Sequence, residues 1–203
     1  MFAAHRLAYH GPASLHPLVS QVQQVAETRT APVVVALDGR SGAGKSTLAA
    51  DLVKQLSESG YDATLFQLED LYQGWHGLTQ AANEWARIAT ELRERGEATW
   101  TSWDWEKSTP LPGRVVRVTH RPQPPASVVV GEGVGAFAAE VDLRCWVHRP
   151  NAARKSAALA RDGETYAPYW DIWAAQEEAL MNHNPRYETA DFIFTPADET
   201  GTP

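Results

Sequence analysis

Nine consecutive residues, Gly39-Arg40-Ser41-Gly42-Ala43-Gly44-Lys45-Ser46-Thr47, carry the spacing G-x-x-x-x-G-K-[ST], which has a direct physical use. Glycines let successive backbone N–H groups turn toward phosphate oxygens, and the N-terminus of a following helix adds partial positive charge. In such a loop Lys45 reaches the β- and γ-phosphates of a nucleoside triphosphate, and Ser46 ligates magnesium through its hydroxyl. ATP and Mg2+ are therefore the expected cofactors. The whole loop from Gly39 to Thr47 is the expected cradle for them.

Three further groups of side chains could join this chemistry. Glu132 follows Val128-Val129-Val130, a buried strand ending in an acid, and such an acid can hold magnesium directly or through water. Glu69 and Asp70 end another apolar segment, Ala63–Leu68, expected beside the first strand. Phosphoryl transfer to an alcohol needs a carboxylate near the acceptor hydroxyl, and either acid could take that proton. Arg149, Arg154, Lys155 and Arg161 gather cations in an otherwise acidic chain. Arg154 and Arg161 stand seven apart and share a helix face, and both could close over phosphates.

The elements that must position these groups alternate. Pro32–Leu37 is a buried strand leading into the loop, and a helix from Ser46 to about Ser57 leads out. A helix over Ser14 to about Thr28, capped by Ser14, precedes them, and residues 1–13 read as irregular. Thr79–Arg95 is helical, with Trp85, Ile88, Ala89 and Leu92 inward. Residues 97–126 hold Trp100, Trp103 and Trp105 among polar residues and five prolines, as a hairpin-like insertion leaning over the site would. Leu143–Val147 is a strand, Ala152 to about Ala160 a helix, 161–168 a loop, Tyr169 to about Asn182 a helix, and Asp191–Phe194 a last short strand. Trp170 and Trp173 read as core, and the tail after Pro196 as loose. Strands separated by helices predict an α/β fold with three α/β/α layers around a parallel sheet. Ligands then bind at the carboxyl ends of the strands, where the loop, Glu69-Asp70 and Glu132 all lie.

The chain of 203 residues is one domain without repeats or linkers. A net charge of −7 speaks against nucleic-acid binding, because a phosphate backbone needs a basic face. No apolar run is long enough to span a membrane. The first residues lack the apolar core of a signal peptide, so the cytoplasm is the expected compartment. The single Cys145 reads as a buried strand residue, and the seven histidines show no metal-ligand spacing. A small-molecule phosphate acceptor is the expected partner, and homo-oligomerisation is left open.

Taken together, the landmarks resemble the uridine kinase and phosphoribulokinase-like family of P-loop kinases. Glu69-Asp70-Leu71-Tyr72 resembles that family's Asp-x-Phe-Tyr, and Gly131-Glu132-Gly133-Val134-Gly135-Ala136-Phe137 its Glu-Gly-x-x-Ala-Phe. Arg154 and Arg161-Asp162 resemble its lid pattern, and Trp103-Asp104-Trp105 its acceptor-pocket Tyr-Asp-Phe. The resemblance implies a P-loop NTPase fold with strand order 2-3-1-4-5 and a small lid at about 149–168. It implies transfer of the ATP γ-phosphate to an acceptor hydroxyl, as in uridine or cytidine phosphorylation, with Lys45 and Arg161 stabilising the transferred group. Tyr72, Trp103, Asp104 and Trp105 would bind the acceptor. The chain departs from the family at Glu69, which stands where the catalytic Asp is expected, and at Ala157 and Ala158, which replace two lid arginines. The resemblance modestly prefers Asp70 as the base, since it has the family's residue type, although Glu69 has the family's spacing. A His-Pro-Asp-Ala-Phe-Asp segment is missing after Tyr72. A kinase for another nucleoside, a sugar or a pantothenate-like alcohol, and an ATP-binding module without transfer, are the alternative readings.

Overall fold

The sequence of β2 (Val33–Asp38) dictates the centre of the molecule: every residue in it is buried. A strand apolar on both faces must be covered on both, and the chain supplies the two covers. Val33, Val35 and Leu37 face α1 (His16–Ala26) and α2 (Lys45–Glu58), through Leu18, Val22, Leu48, Leu52 and Leu56. Val34 and Ala36 face α3 (Leu78–Arg95), through Trp85, Ile88 and Leu92. The structure, a computed structural model, describes residues 4–184 and 189–197.

Six strands form one parallel sheet in the order β1-β8-β7-β2-β6-β3. Besides β2, these are β1 (His5–Tyr9), β3 (Ala63–Gln67), β6 (Val128–Glu132), β7 (Leu143–Val147) and β8 (Phe192–Pro196). Without β1, the order is the expected 2-3-1-4-5. The second strand, β3, does not lie beside β2 as expected: it pairs with β6, which pairs in turn with β2. The α2 crossover thus skips a place that β6 later fills, and β6 is buried along its whole length there.

Other differences are local. Residues 5–9 are not irregular but form β1, an edge strand in register with β8 from His5–Phe192 to Tyr9–Pro196. The Tyr9 hydroxyl also bonds to Asp51 on α2. Ser14 does not cap α1: its hydroxyl donates to Gly11 O at 2.6 Å inside a preceding 3-10 turn, and the helix starts at His16. Residues 161–166 are not a loop. They continue α4 (Asn151–Tyr166), broken at Gly163 with φ 56° and ψ −138°. A 3-10 turn then leads into α5 (Trp170–His183). The tail beyond residue 197 lies outside the described residues.

The 97–126 segment contains an antiparallel hairpin of β4 (Glu97–Asp104) and β5 (Thr109–Arg117), with a register shift between Trp100 and Ser102. Ala98, Trp100 and Ser102 are buried on the inner strand, while β5 is largely exposed. Phe66 at the end of β3 anchors the hairpin, edge-on to Trp100 at 5.0 Å. Among the described residues, no helix is long and apolar enough to cross a membrane.

Candidate active site

Gly42 and Gly44 hold φ values of 79° and 99°, the left-handed region that favours glycine, and α2 starts directly behind them. A Cβ on Gly42 would also meet the Arg154 carbonyl, its carbon at 2.8 Å, so the loop can lie against α4 only as glycine. The N–H groups of Gly42, Gly44, Lys45 and Ser46 have no protein acceptor among the described residues. This is an open donor set of the kind that phosphate oxygens fill. Lys45, 7% exposed, donates from Nζ to Arg40 O at 3.3 Å and stays within the loop. Ser46 and Thr47 are exposed, while Ala43 is core.

Asp38 ties this loop to the one after β6. Its buried carboxylate accepts N–H groups from Gly39 at 2.7 Å, Gly135 at 3.1 Å and Phe137 at 2.9 Å. Burial nonetheless lifts its pKa to about 6, since desolvation outweighs those bonds and the Lys45 charge. From the other side Trp85, fully buried on α3, donates its indole N–H to Ala136 O at 3.0 Å. Its ring fits because residue 131 is glycine: a Cβ there would come within 2.7 Å of the indole. The core thus fixes where Glu132 stands.

A cleft of about 380 Å³ opens above the loop. Lys45, Glu69, Glu132, Arg161 and Asp162 supply its charged groups, and Ser41, Ser46, Tyr72, Thr165 and Tyr166 its hydroxyls. Glu132 is 5% exposed, and its carboxylate accepts no hydrogen bond among the described residues. The carboxylate oxygens are not sealed from water but open on the cleft, a place that fits a cation between them and Ser46. No group of three or more His, Cys, Asp or Glu residues forms a metal cage among the described residues, so the remaining ligands would be phosphate oxygens and water. Glu69 is exposed at the cleft, and the partial loss of water there raises its carboxyl above the ordinary range. Glu132, Asp162 and Asp70 push the same way, and Arg161 opposes them. Arg161 itself is exposed and forms a two-pronged pair with Asp162, at 2.8 and 2.7 Å.

The two candidate bases are separated. Glu69 lines the cleft, whereas Asp70 is not among its lining residues and faces Arg114 of the hairpin at 3.7 Å. The candidate acceptor residues also divide. Tyr72 and Trp105 line the cleft, and Tyr72 donates its hydroxyl to Val134 O at 3.2 Å. Trp103 packs over Gly74, where a Cβ would meet its ring at 3.7 Å. Asp104 does not line the cleft. It accepts the N–H groups of Glu106 and Lys107 at 3.1 and 3.0 Å and so closes the hairpin turn. Trp105 escapes strand alternation because it begins that turn.

Sequence reasoning missed part of the wall. Trp75, Tyr166 and Trp173 all line the cleft. Trp75 stacks on Tyr169 at 4.5 Å and Tyr166 at 5.3 Å, and meets Trp105 at 4.9 Å. Trp173, read as core and indeed 4% exposed, also donates to Ser41 Oγ at 2.9 Å and sits edge-on to Tyr72 at 4.8 Å. Trp170 does belong to the core, beneath the Arg154 guanidinium. Arg154 lies under the loop rather than in the cleft: it is 4% exposed and bonded to Glu177, another residue the sequence did not single out. Arg149 Nη1 donates to Gly42 O at 3.4 Å.

Sheet order, phosphate loop and cleft together define the P-loop kinase fold, and solved structures share it. One is described as a possible uridine kinase from Bacillus stearothermophilus. It matches with a TM-score of 0.56 and 19% identity, over 88% of this chain and 99% of that one. Another, a candidate fructose transport system kinase from Silicibacter sp. TM1040, matches with a TM-score of 0.55 and 18% identity, over 87% and 98%. At such identities the likeness is one of fold. No protein-family model matches the chain, and no curated protein sequence matches it.

Proposed function

We propose that the protein is an ATP- and Mg-dependent kinase that moves the γ-phosphate to the hydroxyl of a small molecule, in the manner of the uridine kinases. One observation carries this reading: a single cleft joins the open phosphate loop, Glu132, Glu69, Arg161 and an aromatic wall. A protein that only bound Mg-nucleotide would need the loop and Glu132 and not the rest.

In this reading the loop N–H groups and Lys45 hold the triphosphate. Ser46 and Glu132 would hold magnesium, which would supply positive charge to offset that of the triphosphate. The acceptor oxygen forms a bond to the γ-phosphorus as the bond from that phosphorus to the β-γ bridging oxygen breaks, and ADP leaves with that electron pair. Glu69 takes the acceptor proton; its raised pKa brings it nearer to the working pH of a base. Arg161 covers the charge on the transferred group. Tyr72, Trp105, Trp173 and their neighbours offer flat faces, which suit an acceptor carrying a ring. The cytoplasm, where ATP and magnesium abound, is the proposed compartment.

The test is ADP release over a panel of nucleosides, sugars and alcohols, with Lys45→Ala as the control. Acceptor-dependent release that Lys45→Ala abolishes supports the proposal. Tight ATP binding without release for any acceptor would leave the module that binds nucleotide and transfers nothing.

A further inference from the structure

We infer that Glu177 is a positioning residue: it holds the phosphate loop in its nucleotide-receiving shape and withdraws Arg154 from the cations that can move over the phosphates. The inference rests on the nucleotide-binding part of the proposed function. Glu177 stands on α5 and is fully buried. Its Oε1 accepts the Ser41 N–H at 2.7 Å, and its Oε2 accepts Arg40 Nε at 2.8 Å and Arg154 Nη1 at 3.2 Å. One carboxylate thus joins the loop, α4 and α5.

The pattern is selective. Glu177 closes the N–H of Ser41 and leaves the next ones, of Gly42, Gly44, Lys45 and Ser46, open. It therefore fixes the loop's first turn without occupying the phosphate position. A loop with several glycines is costly to order at the moment of binding, and ordering it beforehand raises affinity. Arg40 is further tied to Ala174 O at 3.1 Å, and Trp173 holds Ser41 Oγ one turn earlier on the same helix.

Arg154 spends its donors in this arrangement. Nε bonds to Asn151 Oδ1 at 2.9 Å, Nη1 also approaches Ser41 O at 3.5 Å, and the guanidinium lies 4.9 Å above the Trp170 ring. Arg40 and Arg154 repel each other across Glu177, and their shared counter-charge keeps both in place. Removing one partner of a buried ion group leaves the others uncompensated, and here the others belong to the loop. Arg161, exposed and paired with its neighbour Asp162, keeps the freedom that Arg154 lacks.

The experiment is calorimetric titration of Mg-ATP into the wild type, Glu177→Gln and Glu177→Asp, with a melting curve of each without nucleotide. Folded Glu177→Gln should bind ATP about tenfold more weakly. Where turnover is measured, KM for ATP should rise more than kcat falls. Glu177→Asp keeps the charge at shorter reach and should recover part of the affinity. Unchanged affinity in folded Glu177→Gln overturns the inference and makes Glu177 a packing residue. Tighter binding overturns it as well, since the released arginines would then be reaching the phosphates. If Glu177→Gln does not fold, Arg40→Gln, which leaves Glu177 paired with Arg154 and Ser41, should weaken ATP binding in the same direction, and unchanged affinity there overturns the inference. A wild type that binds no ATP refutes the proposed function itself, and the inference falls with it.

Discussion

Separate replacement of Glu69 by Gln and Asp70 by Asn tests which acid is the base. Glu69 lines the cleft with Glu132 and Arg161, and Asp70 does not. Glu69→Gln keeps the shape and removes the proton acceptor, so transfer should fall about 10²-fold or more while ATP affinity is kept. Asp70→Asn loses a half-exposed pair with Arg114 at 3.7 Å, which is worth about 0–1 kcal/mol, so transfer should stay within about threefold of wild type. The pH dependence gives a second readout. A base must be ionised, so kcat/KM should fall as pH drops through the Glu69 pKa, which desolvation holds above the usual range. Asp70→Asn removes one of the like charges raising it and should move that acidic limb to lower pH. Arg161→Ala removes the opposing cation and should move the limb to higher pH. ADP release measured from pH 4 to 9 with a found acceptor reads all of this. A 10²-fold loss in Asp70→Asn together with a near-wild-type Glu69→Gln would refute the assignment.

Further substitutions test the rest of the site. Lys45→Ala should melt near the wild-type temperature, since the loop backbone is unchanged, yet lose about 10²-fold or more in ADP release. Glu132→Gln should lose activity that raised magnesium or manganese partly restores; equal rates at limiting magnesium would make Glu132 a turn residue. Gly42→Ala must place a Cβ against the Arg154 carbonyl at φ 79°, a conformation that alone costs about 1–2 kcal/mol, and ATP binding by calorimetry should fall at least as far as stability does. Asp38 has its pKa raised to about 6 in the fold. Its contribution to stability is therefore fully present below the unfolded value near 4 and lost as pH rises through 6, by up to about 3 kcal/mol. Urea midpoints from pH 4 to 7 should show this slope in the wild type, and Asp38→Asn should flatten it.

What was legible in the sequence follows the range of the interactions involved. The phosphate loop is specified by nine adjacent residues, and the central strands by unbroken apolar runs, so both could be read directly. Strand β1 could not: His5-Arg6-Leu7-Ala8-Tyr9 is half exposed, and only its pairing with β8 across nearly the whole chain makes it a strand. Asp104 between two tryptophans looked like a ligand contact. A local rule explains its actual place, because Asp readily accepts backbone N–H groups two and three residues on and so closes turns. Glu177 gave no signal, since an acid on a helix reads as solvated until a partner 137 positions away buries it.

The two halves of the cleft differ in the same way. The nucleotide half is built from the loop and from strand ends in one sheet, which parallel pairing holds in register. The other half is assembled from pieces with no common element: Tyr72 and Trp75 after β3, Trp105 at the hairpin turn, Tyr166 beyond the Gly163 break, and Trp173 on α5. Their positions depend on one another through ring contacts, Trp75 touching Tyr166, Tyr169, Trp105 and Trp173. A change at Trp75 or Trp105 reshapes the wall without touching the phosphate loop, whereas Trp173 and Tyr166 also bond to Ser41. Under the proposed function, acceptor preference can therefore vary while the transfer chemistry stays fixed. Trp75, which touches the most neighbours, is the position where substitution should alter the choice of acceptor and leave ATP affinity as it was.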